Sequence, residues 1–549
     1  MNEIDKLKRR RGRLIESIVS WQQHVEENPN TNRESERGCL RAIGEAKKTM
    51  VAMENKKQMA NRILQVANNI LASKAEQEVE RLLKRVLSNS KWKNKVFSVG
   101  GYERDRLLNV DSKDLDLVVE KKGGGKEFSF FLHNLFPSES SKPYEMGAGY
   151  PIWHIAFKED VLFKGEVFGV DGAELDIVDT QKEAFPDPNT RQRVTTYGDL
   201  KEDIARRDFT VNMLLRDMSS GEIKDLTGTS KSDIERGLLR EHPGVDIDKM
   251  FSDDPLRMMR LLRFQVKYGW DIPIHVIKSV KRNSNRIKII SNERIRDELV
   301  KIMKLGKLRQ AVRLMKTFGL LKYILPEIES MRGVEHDTKR GIHLEGDVYK
   351  HTMEVLKHAK PTVEAQLSAL LHDVGKPKTQ SVLEDKMQYL GHEKVGEEIA
   401  EAILRRLKFD NNVIKRVKNI VRNHMRPHDL NRGNGGAKGL RRFIRKVGDE
   451  TVDAILDLAE ADALGTLPPD NYIPEFRKKI EEVRSVPIRE EPVLSGREIM
   501  EVLNVKPGKI IGEIKEFLRD LEDEFVSDGK KLTKREAVER IKTEFGDLM

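Results

Sequence analysis

The sequence predicts an α/β head with a mixed sheet, followed by an all-α body and preceded by a helical extension. Three observations predict it. β-branched alternation and glycines concentrate between about 90 and 230, as in "LDLVVE" and "ELDIVD". Beyond 230 nearly every stretch reads as helix, interrupted by "GTLPPDNYIP" and "SVPIREEPVLSG" as turns or linkers. Before 88 the chain is almost continuously charged, yet Ile4, Leu7, Leu14, Ile18 and Trp21, then Ile63, Val66, Ile70, Val79, Leu82, Leu83 and Val86, keep helical spacing. A chain of 549 residues has room for several domains. The changes of texture put them at 1–88, 89–230, 231–330, 331–470 and 471–549.

The extension, 1–88, reads either as amphipathic helices packing on the rest of the chain or on another copy, or as an arm gripping RNA through Lys8 to Arg13. Overall, 100 Lys and Arg against 90 Asp and Glu leave a net charge of +10. That excess allows a polyanionic partner held by local patches and does not make a basic tail. The single cysteine, Cys39, excludes an intrachain disulfide and cysteine-clustered metal sites, and it fits a reducing compartment. No apolar stretch reaches the ~20 residues of a membrane span, and "MNEIDKLKRRRGR" lacks the apolar core of a signal peptide. A cytoplasmic protein with no membrane partner is expected.

The head opens with "VFSVGG", a short apolar strand ending at Gly100 and Gly101, and "YERDRLL" can start a helix after it. Glycines allow close backbone approach, and a helix start offers unpaired N–H groups, so this turn suits a phosphate chain. In "KDLDLVV" the two-residue period of a strand puts Asp114 and Asp116 on one face and Leu115, Leu117 and Val119 on the other. Two carboxylates side by side repel unless a cation joins them. Mg²⁺ ions that also touch a triphosphate are a common solution. "ELDIVDT" supplies a third carboxylate, Asp176, on another strand. In "EDIARRDF" helical spacing places Glu202 beside Arg206, and Asp203 beside Arg206 and Arg207. Such a face can present donors and acceptors to a base edge, or it can be a solvated helix with ion pairs. In "DPLRMMRLLRF", Arg257, Arg260 and Arg263 form a basic stripe beside an apolar one.

"VGGYERDRLLNVDSKDLDLVV", followed by "LKEDIARRDFTVNML", "DDPLRMMRLLRF" and "NERIRDELVKIM", resembles the signature of the bacterial-type (class II) CCA-adding tRNA nucleotidyltransferase and poly(A) polymerase family, within the DNA polymerase β-like superfamily. The match spans about 95 to 305. The resemblance implies a polymerase-β-like nucleotidyltransferase head in which Asp114 and Asp116 hold the catalytic Mg²⁺ ions, with Asp176 as the third catalytic carboxylate. It implies that Gly100, Gly101 and Arg104 contact the nucleoside triphosphate. It makes Asp203 and Arg206 a protein template pairing with the incoming C or A, with Glu202 orienting the arginine, Asp208 reading the ribose, Arg207 the phosphates, and Arg260 and Arg263 also contacting nucleotide. Two positions depart from the family pattern: Glu103 stands where an apolar residue is usual, and Gln181 where an arginine is frequent.

Between 343 and 462 lie "HLEGDVYKHTMEVL", "LLHDVGKPKT", "GHEKVGEEIA", "RNHMRPHD" and "AEADALG". Imidazole and carboxylate donors suit borderline or hard divalent ions, and several helices can each contribute one inward ligand. The pattern resembles an HD phosphohydrolase domain over about 335–470. Carried over by position, His351, His372, Asp373 and Asp462 are the metal ligands, with His392 and His424 available to a second ion. Mn²⁺, Ni²⁺ or Co²⁺ would suit this set. The end of the chain, "LSGREIMEVLNVKPGKIIGEIKEFLRDL", looks like the C-terminal segment of HD-containing tRNA nucleotidyltransferases. "KPGKIIG" reads as a phosphate contact or an ordinary helix start. "KGLRRFIRKVG", with Arg441, Arg442, Arg445 and Lys446, reads as an RNA surface or a solvated helix face.

The expected activity is template-independent addition of C and A residues to the 3′ end of tRNA from CTP and ATP, with metal-dependent phosphohydrolysis by the HD domain in addition. No DNA partner is expected. The alternatives are a poly(A) polymerase acting on RNA 3′ ends, or mainly an HD phosphohydrolase. Poly(A) polymerases usually carry a basic pair before an aromatic where this chain reads "MGAGYPIWHI", and as a rule they lack an HD domain. Intact DxD and H…HD…D sets disfavour a mere RNA-binding protein.

Overall fold

"VFSV" forms β1 (Val96–Val99), buried along its whole length. A strand with no polar alternation must be covered on both faces. It pairs antiparallel with β2 (Asp116–Val119), where the period of two is plain: Leu115, Leu117 and Val119 enter one core cluster, and Val118 enters a second with Phe97, Val99, Ile204, Met213 and Leu215. Asp116 therefore shares the face of Val118. The computed structural model describes residues 74–110, 115–147, 150–187, 193–335, 346–383, 386–433, 436–466, 471–485, 491–527 and 530–546. Asp114 and most of the extension lie outside these residues.

Further along are β3 (Tyr144–Met146), β4 (Ile152–Ala156), β5 (Val161–Phe163), β6 (Glu166–Phe168), β7 (Glu174–Asp179), β8 (Gln181–Ala184), β9 (Val194–Tyr197), β10 (Leu215–Asp217) and β11 (Ile223–Lys224). Seven of them form one mixed sheet in the order β11-β10-β1-β2-β7-β4-β3, in which only β2 and β7 run parallel. β5 pairs with β6 and β8 with β9 as separate hairpins. The parallel pair needs a crossover, and the helix Gly124–Leu135 lies within it, burying Phe128 and Leu132. The helical stretch 74–87 adds Val79, Leu82, Leu83, Val86 and Leu87 to the same core, so the end of the sequence-defined extension packs on the head.

The described chain divides into two compact units; most of the second begins at Val245 and is helical. Helix Leu256–Tyr268 buries Leu261, Leu262 and Phe264 and ends at Gly269, whose φ of 73° is left-handed. Helices Val348–His358, Val363–Leu371, His392–Arg406, Asn411–Asn423 and Asp449–Gly465 follow, each contributing buried residues. Asp347, Thr362 and Asp410 cap three of these with side-chain acceptors, which satisfies N–H groups left over at helix starts. The C-terminal helices Gly496–Leu503, Lys509–Ser527 and Lys534–Phe545 share a core of their own, built around Ile499, Leu503, Ile514, Leu518 and Ile541.

Candidate functional site

In the head, β1 turns at Gly100 with φ +87°, a conformation other residues rarely adopt. A Cβ there would lie 3.5 Å from Arg207 Nη1, and one on Gly101 would lie 3.3 Å from Arg104 Nη2. The turn thus runs between two guanidiniums. Arg104 is buried; its Nε donates to Asp105 Oδ1 at 2.8 Å, and its Nη1 donates to Asn212 Oδ1. Asn212 Nδ2 donates in turn to Asp208 Oδ1 at 2.8 Å. Asp208 thereby fixes Arg104 through Asn212, a role its spacing did not reveal.

The sheet register decides which carboxylates meet. Ser98 pairs with Leu117, which brings Asp116 level with Val99, just before the glycine turn. In the parallel pair, Asp116 stands directly opposite Asp176, and on the other side of β7, Asp176 stands opposite His154. His154 Nδ1 lies 2.9 Å from Asp176 Oδ1. Neighbouring strands are about 4.8 Å apart, so Asp116 and Asp176 form a row of oxygen acceptors at the edge of the turn. Two adjacent acceptor-only groups fit a hard divalent ion. His154 was not singled out in the sequence; only its register opposite Asp176 gives it away.

Asp203 has no exposed surface. Its Oδ1 accepts from Arg206 Nε and Nη2 at 3.0 and 2.8 Å and from the Gln181 backbone N–H at 3.0 Å. Its Oδ2 accepts from Arg207 Nε and Nη2 at 3.2 and 2.9 Å. Burial alone would raise the Asp203 pKa, but Arg207 and Arg206 outweigh it and hold the carboxyl below its usual range. One acid therefore fixes two arginines, one toward the glycine turn and one toward β8. Arg206 Nη1 also donates to Glu183 Oε1 at 2.9 Å. Glu202, expected to orient Arg206, instead closes a capping box with Asp199 at the start of helix Leu200–Ala205. Glu183 is thus a described partner of Arg206.

The two departures from the family pattern have structural reasons. Glu103 is buried and accepts from Ser98 Oγ and from Arg216 Nε at 3.0 Å, so it belongs to a paired interior charge. Burial pushes its pKa up, against Ser98 and Arg216. Gln181 is buried and serves Asp203 through its backbone. In the second unit, Arg257 is buried on helix Leu256–Tyr268 and the Arg260 guanidinium lies 5.5 Å from the Phe264 ring centre. Arg263 pairs with buried Glu298 of helix Asn292–Lys304 and lies 4.4 Å over Phe264, holding two helices together.

The helical unit gathers the expected HD residues from six positions. His351 lies on Val348–His358, His372 and Asp373 follow Val363–Leu371, His392 starts the next helix, His424 ends Asn411–Asn423, and Asp462 lies on Asp449–Gly465. Two sets have ligand atoms within 4.8 Å of one another: His351, His372 and Asp462, and Asp373, His392 and His424. Asp373 joins the sets, with Oδ2 at 3.2 Å from His372 Nε2 and Oδ1 at 3.5 Å from His392 Nε2. Three imidazoles are oriented by backbone carbonyls on Nδ1: His372 on Ala369 at 2.9 Å, His392 on Tyr389 at 2.8 Å and His424 on Val421 at 2.7 Å. Nδ1–H donation leaves each Nε2 as a lone-pair donor pointing inward. His392 and His424 then bring two such atoms within 3.2 Å, and His372 Nε2 is buried without a hydrogen-bond partner. Lone pairs facing each other in a buried site fit a bound cation.

Charge in this cluster is also settled by its neighbours. Burial would raise the Asp373 pKa, but His372 and Lys376, whose Nζ lies 2.6 Å from Oδ2, keep it well below the usual range. Asp462 is likewise held low against burial by the nearby imidazoles of His351 and His428. The His424 pKa falls to about 3, first through burial and then through His372 and His392. Gly375 of "HDVGK" lets the chain pass the next helix: a Cβ there would lie 2.2 Å from the His392 carbonyl oxygen. His428 was missed by the sequence reading, although "RNHMRPHD" displays it. Its Nε2 lies 3.3 Å from Asp462 Oδ2, opposite His351 at 2.8 Å from Oδ1.

Comparison with known proteins gives matches for the segments that carry these residues. Residues 96–240 match the poly A polymerase head domain, 269–332 the probable RNA and SrmB-binding site of polymerase A, and 348–467 the HD domain. The CC-adding tRNA nucleotidyltransferase of Thermus thermophilus is 31% identical over 352 residues, covering 62% of this chain and 76% of that protein. The chain belongs to the bacterial-type tRNA nucleotidyltransferase and poly(A) polymerase family. The A-adding tRNA nucleotidyltransferase of Deinococcus radiodurans is a further relative, 29% identical over 57% of this chain and 73% of its own length. In fold, the nucleotidyltransferase resembles a solved CCA-adding enzyme in an apo form, with a TM-score of 0.56 and 19% identity over 85% of this chain and 95% of that one.

Proposed function

We propose that the protein adds C and A residues to the 3′ end of tRNA without a nucleic-acid template, using CTP and ATP. The observation that carries this reading is the glycine turn between Arg104 and Arg207, with the Asp116–Asp176 row at its edge. Arg104 and Arg207 take the triphosphate at Gly100 and Gly101. Asp114, Asp116 and Asp176 provide oxygen ligands and a proton acceptor for the attacking 3′-hydroxyl. Bound Mg²⁺ supplies charge neutralisation at the attacking and leaving oxygens. Arg206, held by Asp203 and Glu183, reads the base edge together with Asp203, while Asp208 steadies Arg104 beside the ribose. The domain limits 89–230 for the head and 331–470 for the HD domain follow from the same reading. Among the described residues no helix is long and apolar enough to cross a membrane, and with one cysteine the cytoplasm is the favoured compartment.

The test is extension of tRNA ending before, within or after CC, with labelled CTP or ATP. Two C residues and one A should be added in order. Addition of CC alone or A alone would narrow the activity to that of a CC- or A-adding relative, and long A tracts would overturn it in favour of a poly(A) polymerase.

The opposed His392 and His424 nitrogens favour a second activity in the same chain: metal-dependent phosphohydrolysis with Mn²⁺, Ni²⁺ or Co²⁺ held by His351, His372, Asp373 and Asp462, and by His392 and His424. Its test is hydrolysis of a 2′,3′-cyclic nucleotide and of a simple phosphate ester with each ion. No turnover with any of them would reduce the domain to a scaffold.

A further inference from the structure

The sheet register lines up four side chains from four strands. Tyr144 of β3 pairs with His154 of β4, His154 with Asp176 of β7, and Asp176 with Asp116 of β2. Residues directly opposite one another across a sheet point to the same face, so these four form one row. Their chain neighbours fix which face it is. Leu175 and Ile177 on β7 and Ile155 on β4 enter the core with Phe128, and Trp153 packs against that core, so Asp176 and His154 project from the other side of the sheet.

Exposure is uneven along the row. Tyr144 is 51% exposed and the Asp176 side chain 46%, yet the His154 side chain between them is only 13% exposed. The Tyr144 ring lies against the imidazole, with ring centres 5.1 Å apart and planes at 49°. On its other side His154 meets the acid. An ionised carboxylate only accepts hydrogen bonds, so at 2.9 Å His154 Nδ1–H donates to Asp176 Oδ1. Among the described residues His154 is the only side chain bonded to Asp176. A half-exposed carboxylate left to itself samples several rotamers. With Oδ1 taken by a nearly buried imidazole, Asp176 is set before substrates arrive, and Oδ2 is the oxygen left for an ion or a hydroxyl proton.

We propose that His154 is a positioning residue of the transferase centre: it fixes the Asp176 carboxylate, with Tyr144 steadying the imidazole, and it meets neither nucleotide nor RNA itself. The role belongs to the groups behind metal-binding and catalytic acids that hold them in one orientation. It explains why a polar ring stands at this place in β4, between apolar neighbours that face the core.

The inference rests on the reading that Asp176 is a catalytic carboxylate for nucleotide addition, and the experiment separates the two. Full-length wild type, His154→Leu, His154→Asn, Asp176→Asn and His154→Leu/Asp176→Asn are compared in single-turnover extension of a tRNA lacking CCA with CTP and Mg²⁺. Binding of CTP with Mg²⁺ is measured separately by equilibrium dialysis. Leu fills much of the space of the ring without a donor, whereas Asn keeps an N–H close to the place of Nδ1. Loss of such a supporting hydrogen bond costs about 10- to 100-fold, so His154→Leu should slow C addition by about that factor while His154→Asn recovers most of it. The dissociation constant for CTP should stay the same in both. The double variant should be no slower than Asp176→Asn, because residues acting through one group are not additive.

If wild type adds no C, or Asp176→Asn adds it at the wild-type rate, the reading of the centre is wrong and the inference falls with it. If Asp176→Asn is slow and His154→Leu is not, the inference alone is overturned. It is also overturned if His154→Asn is as slow as His154→Leu, or if the double variant is slower by the product of the two single effects. Weaker CTP binding by His154→Leu would make His154 a nucleotide contact and overturn it too. Should His154→Leu fail to fold, Tyr144→Ala carries the test at an exposed position: a slower rate that disappears in the Asp176→Asn background supports the inference, and an unchanged rate overturns it.

Discussion

In the head, Asp116 is exposed and the Asp176 side chain is 46% exposed, whereas in the helical unit His351, His372, Asp373 and His424 are each buried to within 2%. The head uses carboxylates on neighbouring strands at the rim of a turn, where water screens their repulsion. The HD cluster uses imidazoles tied to backbone carbonyls, with Lys376 paired to a buried acid. An open oxygen row suits an ion that arrives and leaves with a triphosphate at each turnover. A closed nitrogen-rich set suits ions that stay. The comparison teaches that one chain carries two groups of side chains able to hold a metal, one open and oxygen-only, the other buried and rich in imidazole.

The largest effect expected is at the open site. Asp116→Ala should lower incorporation of both CTP and ATP by about 10³-fold or more, since several kcal/mol of charge stabilisation disappear. Because the side chain is exposed, the melting temperature should change little. Equal loss of HD-dependent hydrolysis in this variant would break the separation between the two centres.

A smaller effect is expected one layer back, where Asp203 and Glu183 hold Arg206, the residue proposed to read the base. Arg206→Ala should reduce discrimination of CTP and ATP over UTP and GTP by about 1–3 kcal/mol, about 5- to 150-fold, and should affect the best rate less. Competitive incorporation from mixed nucleotides measures it. A uniform fall for all four nucleotides would show that Arg206 serves the chemistry and not the choice of base.

The smallest effect is expected at the closed site's packing. Gly375→Ala forces the chain away from the His392 carbonyl and should cost about 1–3 kcal/mol in chemical denaturation, with weaker Ni²⁺ binding because His392 moves. Unchanged Ni²⁺ affinity would mean that His392 is not held by this contact.

Much of both sites was legible because spacing carries their chemistry. The period of two in "KDLDLVV" correctly separated Asp116 from Leu117 and Val119, and the order H…HD…D assembled the buried cluster. What was not legible depended on register and approach between distant segments. His154 matters only because β4 lies beside β7. Glu183 meets Arg206 because β8 runs beside the helix Leu200–Ala205, and Glu202 closes that helix's cap with Asp199. Arg263 is drawn to Glu298 by helix packing. His428 was visible in the motif, but a helix boundary with Pro427 intervenes between it and His424, and simple helical spacing does not predict that both face one cluster. The fold class was readable from texture; the sheet order and the packing of 74–87 into the head were not, since both rest on contacts far apart in sequence.

The most direct test of two separable centres is nucleotide incorporation in Mg²⁺ by a His372→Ala/Asp373→Ala variant, verified as folded by circular dichroism and melting. The account predicts that this protein extends tRNA at close to the wild-type rate while losing hydrolysis supported by Mn²⁺, Ni²⁺ or Co²⁺. A folded variant that cannot add C or A would contradict it, because the buried cluster would then be part of the transferase.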